Sequence, residues 1–402
     1  MRPTDGLFIG LMSGTSLDGV DAVLARLPPL GTNSFASAMP GASGADRATA
    51  GAESRSNSLV LAHAWAAFPT PLHAELLSLQ QEGPNELQRA ALAANALADL
   101  YAQLVQQLLA KAGVTAHEVR AIGAHGQTVR HRPELGYTLQ INAPARLAEA
   151  CGIDVIADFR SRDVAAGGQG APLVPAFHAG LFRTPDADRV VINIGGMANV
   201  TELPADPERR VRGWDTGPGN CLLDGWIGRC KGLAYDADGN WADSGSVDQA
   251  LLAALSAEPW LALPPPKSTG RDLFNLDWLL RHDAVLAKLP QADVQATLAQ
   301  FTADTIAAAI LEQSPGTREL IVCGGGARNT DLLARLGSSV NADRPQTPRT
   351  VSTSDAHGLP ADQVEALAFA WLAQCHLAGH FGNLVSVTGA RGARVLGARY
   401  PK

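Results

Sequence analysis

Three times in this chain a short apolar run ends in a glycine-bearing polar turn, and no other feature limits the fold as much. Leu7-Phe8-Ile9-Gly10-Leu11-Met12 leads into Ser13-Gly14-Thr15-Ser16-Leu17-Asp18-Gly19 and on into Val20-Asp21-Ala22-Val23-Leu24. Arg189–Ile194 leads into Gly195-Gly196 and then Met197–Leu203; Glu319–Cys323 leads into Gly324-Gly325-Gly326, with a helix expected near Thr330–Leu336. The first two read as strand, tight turn, strand. Their common plan suggests a distant internal duplication, one copy per domain. The residues between them alternate strand and helix. Leu87, Ala91, Ala94, Leu97, Tyr101, Leu104, Leu108 and Lys111 step by three or four, and Gly113 suits a helix C-terminus. Val119–Ala124, Tyr137–Ile141 and Asp154–Phe159 read as strands, with a short helix opened by Pro144 and closed near Gly152. A last helix is expected from Pro360 to His376, with Val364, Leu367, Ala368, Trp371 and Leu372 on its core face. Such alternation predicts an α/β fold with mixed, partly parallel sheets. In open α/β sheets ligands bind at strand ends, where all three turns lie.

Composition removes several alternatives. A length of 402 residues predicts two or three domains. An apolar fraction of 46% against 18% charged excludes a disordered chain. No run approaches ~18 consecutive apolar residues, so no membrane span is expected, and the first residues lack the apolar core of a signal peptide. The 5 cysteines are odd in number and show no C-x-x-C, which points to reduced thiols in a cytosol. A net charge of −7 without a basic run argues against a nucleic-acid partner. Residues 28–57 are mostly Pro, Gly, Ala, Ser and Thr with almost no bulky apolar side chain, and read as a mobile insertion in a hairpin loop.

Several segments carry groups suited to chemistry. Gly14 through Gly19 offers small residues and approachable backbone N–H groups, as a phosphate chain requires, although an ordinary hairpin turn accounts for the same residues. Asp18 and Asp21 could support Mg²⁺ through water. In Trp214-Asp215-Thr216-Gly217-Pro218-Gly219-Asn220 a carboxylate sits between a strand end and a turn that opens a helix, Cys221–Cys230. That helix start attracts anions, and Asp215 is placed to act as a general base beside it; a capping role is the alternative. His125-Gly126-Gln127-Thr128 and Asp158-Phe159-Arg160-Ser161-Arg162-Asp163 present groups that suit a polyol or carboxylate ligand, or merely surface ion pairs. Glu365 lies beside the stripe of its helix and by pattern alone reads as exposed. P-loop, dinucleotide-fingerprint, H-E-x-x-H and G-x-S-x-G motifs are all absent from the sequence.

The order of the three turns resembles the phosphate-1, phosphate-2 and adenosine motifs of the actin-like ATPase superfamily. The wording goes further. Leu11 through Asp21, His125-Gly126-Gln127-Thr128, Gln169-Gly170-Ala171-Pro172-Leu173-Val174-Pro175, Asn193-Ile194-Gly195-Gly196-Met197-Ala198-Asn199 and Asp215 through Asn220 resemble the anhydro-N-acetylmuramic acid kinases. The resemblance implies a two-lobed, ribonuclease H-like fold with an interdomain cleft. One lobe would hold residues 1–160 plus about 381–402, the other 161–380. It implies ATP and Mg²⁺ as cofactors, the ring-opening phosphorylation of 1,6-anhydro-N-acetylmuramic acid in peptidoglycan recycling, a cytoplasmic location and a homodimer. It further implies Asp215 as the catalytic carboxylate. ATP contacts would fall on Gly14, Thr15, Ser16, Leu17, Asp18, Gly19, Val20, Asp21, Gly195, Gly196, Asn199, Gly217, Gly219, Asn220, Gly324, Gly325 and Gly326. Sugar contacts would fall on His125, Gln127, Thr128, Arg162 and Glu365. An ordinary sugar or acid kinase on the same fold, and a nucleotide-dependent clamp without catalysis, are the competing readings.

Overall fold

The computed structural model describes residues 5–14, 17–30, 59–271 and 273–402. Thr15, Ser16 and nearly all of the expected insertion at 28–57 lie outside them. The chain divides into two compact units, Met1–Leu181 with His357–Lys402, and Phe182–Ala356.

The first unit is built on a sheet of order β13-β7-β4-β1-β2-β3. Its strands are β1 (Gly6–Met12), β2 (Gly19–Leu27), β3 (Val60–Ala67), β4 (Val119–Ala124), β7 (Val155–Ala157) and β13 (Ala398–Tyr400), with β5 (Gln127–Arg132) and β6 (Tyr137–Ile141) as a separate hairpin. β1, β2 and β3 form an antiparallel meander, while β4 and β7 run parallel to β1. Both faces of β1 are covered, so its interior residues are uniformly buried instead of alternating. One cover is the helix Glu86–Ala112, whose Leu97, Tyr101, Leu104 and Leu108 enter the core. Its first turns stand clear of that core, and Leu87 is exposed.

The other cover is the helix Val364–Ala378. Gly10 and Gly123, partners across β1 and β4, are why it fits. A Cβ on Gly10 would stand 1.8 Å from the Ala366 carbonyl oxygen, and one on Gly123 would stand 2.0 Å from that of Phe369. The helix backbone rests directly on the strands at both places, which only glycine permits. This close packing puts residues 357–380 in the first unit, and the chain leaves that unit only after Leu181. Both differ from the lobe boundaries expected at 160 and 380.

The second unit repeats the plan. Its sheet has the order β10-β9-β8-β11-β12, from β8 (Arg189–Ile194), β9 (Met197–Leu203), β10 (Arg212–Pro218), β11 (Glu319–Cys323) and β12 (Thr350–Thr353). Here too three antiparallel strands are followed by two parallel to the first. This is the ribonuclease H-like order, present once in each unit, and it gives the suspected duplication a topological basis. The helix Gln291–Gln313 is long and apolar enough to cross a membrane, yet 67% of that stretch is buried inside the protein, and Val294, Leu298, Phe301 and Ile306 are wholly enclosed. It is a core helix.

Candidate active site

In the second unit, three glycine turns meet at the ends of β8, β10 and β11. The Gly219 and Cys221 N–H groups donate to the Gly196 carbonyl at 2.9 and 3.1 Å, and the Asn220 N–H donates to that of Gly195 at 2.8 Å. The Asn220 side-chain amide donates to the Ile194 carbonyl at 3.3 Å, and Thr302 fixes the Gly219 carbonyl at 3.1 Å. These approaches leave no room for a side chain. A Cβ on Gly219 would lie 2.3 Å from the Gly195 oxygen, and one on Gly326 would lie 2.3 Å from Ile194 Cγ2. Gly195 and Gly325 differ: a Cβ there would meet nothing nearer than 3.6 and 3.8 Å, so their backbone is open to a ligand. The helix Cys221–Lys231 starts at this junction, and Asn220 gives it no side-chain cap. The expected Gly-Pro-Gly turn is shorter than the sequence suggests, because β10 continues through Pro218.

Asp215 is aimed by an irregularity in β10. The register slips between Asp215 and Gly217, so that Thr216 is an extra residue, and Gly217 takes a φ of +144°. Bulges of this kind redirect neighbouring side chains. Asp215 Oδ2 accepts from the Ser268 hydroxyl and the Thr269 N–H, both at 2.9 Å, while the Asp215 N–H donates to the Lys267 carbonyl at 3.1 Å. Oδ1 accepts no hydrogen bond among the described residues. Burial pushes the carboxyl up to about 6 from 3.8, opposed by those two donors and by the charge of Lys267. Asn199 and Asn193 continue a polar row from Asp215 across β9 and β8. Asn193 stands in the Asn193–Asn199 motif, which by itself gives it no site role. The cavity of about 210 Å³ walled by Trp214, Thr216, Lys267, Thr305 and Glu312 does not include Asp215 in its lining.

The first unit carries the other expected residues. The turn after β1 closes with a Leu17 N–H to Gly14 carbonyl bond at 3.3 Å, and Leu17 holds a φ of +58°. Leu17 and Val20 are core residues, so only their backbone can meet a ligand. Beneath the turn lies a polar scaffold. The Ser13 hydroxyl donates to the Gly126 carbonyl at 2.9 Å and lies 3.1 Å from the Tyr101 hydroxyl. Gln127 is wholly buried and donates to the Gly14 carbonyl at 3.1 Å. It braces the turn, its side chain wholly enclosed. Thr128 likewise is engaged within the fold, its hydroxyl accepting from Gln140 at 3.2 Å.

His125 is buried and pushed down to about 3 by that burial and by Arg160, so it is neutral. Arg160 donates to His125 Nε2 at 3.0 and 3.2 Å, which leaves the proton on Nδ1 to donate to the Ser13 carbonyl at 3.0 Å. Phe369 lies against the imidazole at 4.8 Å between ring centres. Glu365, from the same helix, is half-buried and acts on Arg160 electrostatically. The bland reading of Glu365 as a solvated surface residue is therefore corrected. Arg160 is the half-buried cation of this group, whereas Arg162, the expected one, is exposed. Its guanidinium bonds to no described side chain. Sequence pattern could not rank the two arginines, because the helix Ser161–Ala165 turns one of them outward.

Asp21 is bonded to His63 at 3.2 Å. Burial raises its pKa, and the charges of Asp362 and Asp18 raise it further. Among the described residues no group of three or more His, Cys, Asp or Glu side chains is arranged to hold a metal ion directly.

A family model described as anhydro-N-acetylmuramic acid kinase matches residues 33–402. The chain is 56% identical over 400 residues to the anhydro-N-acetylmuramic acid kinase of Bordetella petrii, covering 98% of this chain and 96% of that protein. It is 53% identical over 403 residues to that of Ralstonia nicotianae, covering 98% and 97%. Among solved structures, (R)-2-hydroxyglutaryl-CoA dehydratase component A of Acidaminococcus fermentans aligns with a TM-score of 0.48 at 11% identity, over 92% of this chain and 99% of that one.

Proposed function

The chain belongs to the anhydro-N-acetylmuramic acid kinase family, and we propose that it converts 1,6-anhydro-N-acetylmuramic acid, water and ATP into N-acetylmuramic acid 6-phosphate and ADP, a step of cell-wall recycling. The observation that carries the mechanism is Asp215: one carboxylate oxygen is held by two donors and the other is uncommitted. The anhydro sugar has no free 6-hydroxyl, since O6 bridges to the anomeric carbon. Asp215 Oδ1 takes a proton from water as the water oxygen bonds to that carbon. The C1–O6 bond breaks, and O6 bonds to the γ-phosphorus as ADP leaves. The leaving oxygen is thus the phosphoryl acceptor and needs no separate acid.

The open backbone at Gly195 and Gly325 and the start of the helix Cys221–Lys231 support phosphate binding at the second unit's turns, with Gly196, Asn199, Gly217, Gly219, Asn220, Gly324 and Gly326 shaping them. In the first unit, Gly14 through Asp21 is the ATP-contacting turn on the same reading. Exposed Asp18 and half-buried Asp21 would hold Mg²⁺ through water. Burial first, and then the charges of Asp362 and Asp18, disfavour the ionised form of Asp21 against the opposing His63 contact, and a cation would favour that form. When bound, Mg²⁺ neutralises phosphate charge. Arg162 and Glu365 face the sugar in this reading, with Arg160 and His125 orienting them. The protein is a cytoplasmic homodimer on the same proposal; its unpaired cysteines suit a reducing compartment.

Turnover in ¹⁸O-water tests the chemistry. Ring opening puts the label on the anomeric oxygen of the product. An unlabelled anomeric oxygen with full phosphorylation would establish an ordinary kinase acting on an existing hydroxyl.

A further inference from the structure

The loop Pro266–Gly270 touches Asp215 at every point where the base is held. Lys267 gives its carbonyl to the Asp215 N–H, Ser268 gives its hydroxyl to Oδ2, and Thr269 gives its N–H to the same oxygen. The Lys267 ammonium is kept off the carboxylate. It donates to the Leu261 carbonyl at 2.7 Å and stands 4.4 Å from the centre of the Trp260 ring. Of the charged groups around the base, Lys267 acts on it from this loop, and Glu312 of the helix Gln291–Gln313 acts on Lys267. The carboxylate is therefore oriented by neutral donors on one oxygen only.

We infer that Ser268 is a positioning residue for the proposed reaction: with the Thr269 N–H it fixes Oδ2, and so commits Oδ1 to proton abstraction. This rests on the reading of Asp215 as the base. A carboxylate free to rotate would present either oxygen. A lysine in direct contact would lower its basicity; the Leu261 carbonyl prevents that. Ser268 is exposed and lies in a loop, so its side chain contributes little to the core, and its substitution reports on the site instead of the fold.

The test compares Ser268→Ala, Ser268→Thr and Asp215→Asn with the unaltered protein, measuring kcat, the KM for ATP and the pH profile of kcat/KM. Loss of a hydrogen bond to a charged group predicts a kcat about tenfold lower in Ser268→Ala. Its acid limb moves to higher pH, because the ionised form loses a donor. The KM for ATP stays within about twofold, and Ser268→Thr, which keeps the hydroxyl, restores both rate and profile. If Asp215→Asn is inactive while Ser268→Ala keeps its rate and its acid limb, Ser268 does not position the base. If Asp215→Asn still turns over, the base assignment itself is wrong, and the two failures are told apart by that one variant.

Discussion

Replacing Asp215 by Asn separates catalysis from stability, and the structure sets the sign of both effects. Burial holds the carboxyl at about 6, against 3.8 in solution. The gap is about two pH units, or roughly 3 kcal/mol that the folded state gives up to keep the group ionised. The raised value means that the folded protein binds this proton more tightly than the unfolded chain. The penalty is therefore absent below pH 3.8, accumulates as pH rises toward 6, and is complete above it. An Asn of the same shape still accepts from Ser268 and Thr269 through Oδ1 and carries no such penalty. Relative to the natural protein, Asp215→Asn should gain stability between about pH 4 and 6 and hold a constant advantage above that. For a unit of this size, ~3 kcal/mol corresponds to several degrees in Tm. Turnover should fall by at least about a hundredfold, as expected for loss of a general base, with the KM for ATP within a few-fold. The natural enzyme's own kcat/KM should rise through an acid limb near pH 6. Calorimetry across pH and a coupled ADP-release assay read these quantities. A stability difference independent of pH would refute the buried-charge argument, and an active Asn variant would refute the base.

Gly219→Ala should cost about 1–3 kcal/mol by overpacking against the Gly195 carbonyl and raise the KM for ATP, since it displaces the phosphate turns; an unchanged KM would disconnect those turns from ATP. Arg162→Ala should raise the KM for the sugar about tenfold while Tm moves little, because its guanidinium bonds to no described side chain; equal effects on both substrates would place it elsewhere. Deleting residues 31–57 should leave kcat nearly intact. β2 and β3 are antiparallel neighbours joined up to the Arg26 N–H to Leu59 carbonyl bond at 2.8 Å, so a short loop can connect them; a large fall in kcat would assign the segment a function.

Much of the architecture was legible because it depends on local pattern. Glu86–Ala112, Val119–Ala124, Tyr137–Ile141, Arg189–Ile194, Met197–Leu203 and Glu319–Cys323 run between the residues the sequence indicates. Apolar periodicity and glycine punctuation act over a few residues, where chain geometry leaves few options. Asp215 and the glycine turns stood out for the same reason: their chemistry is written in contiguous residues.

What the sequence could not rank were contacts between distant segments. The loop around Ser268 and Thr269 carries no motif of its own, yet it grips the carboxylate of a residue more than fifty positions earlier. Arg160 and Arg162 look equivalent in a linear chain, and packing half-buries one against His125 and exposes the other. Gln127 reads as a ligand residue in its motif, and only the folded chain shows its amide donating to the Gly14 carbonyl. The return of residues 357–380 to the first sheet depends on two glycines, Gly10 and Gly123, that become neighbours only when β1 and β4 pair. Burial, and with it the basicity of Asp215, is a property of what surrounds a side chain in space, and tertiary packing alone sets it.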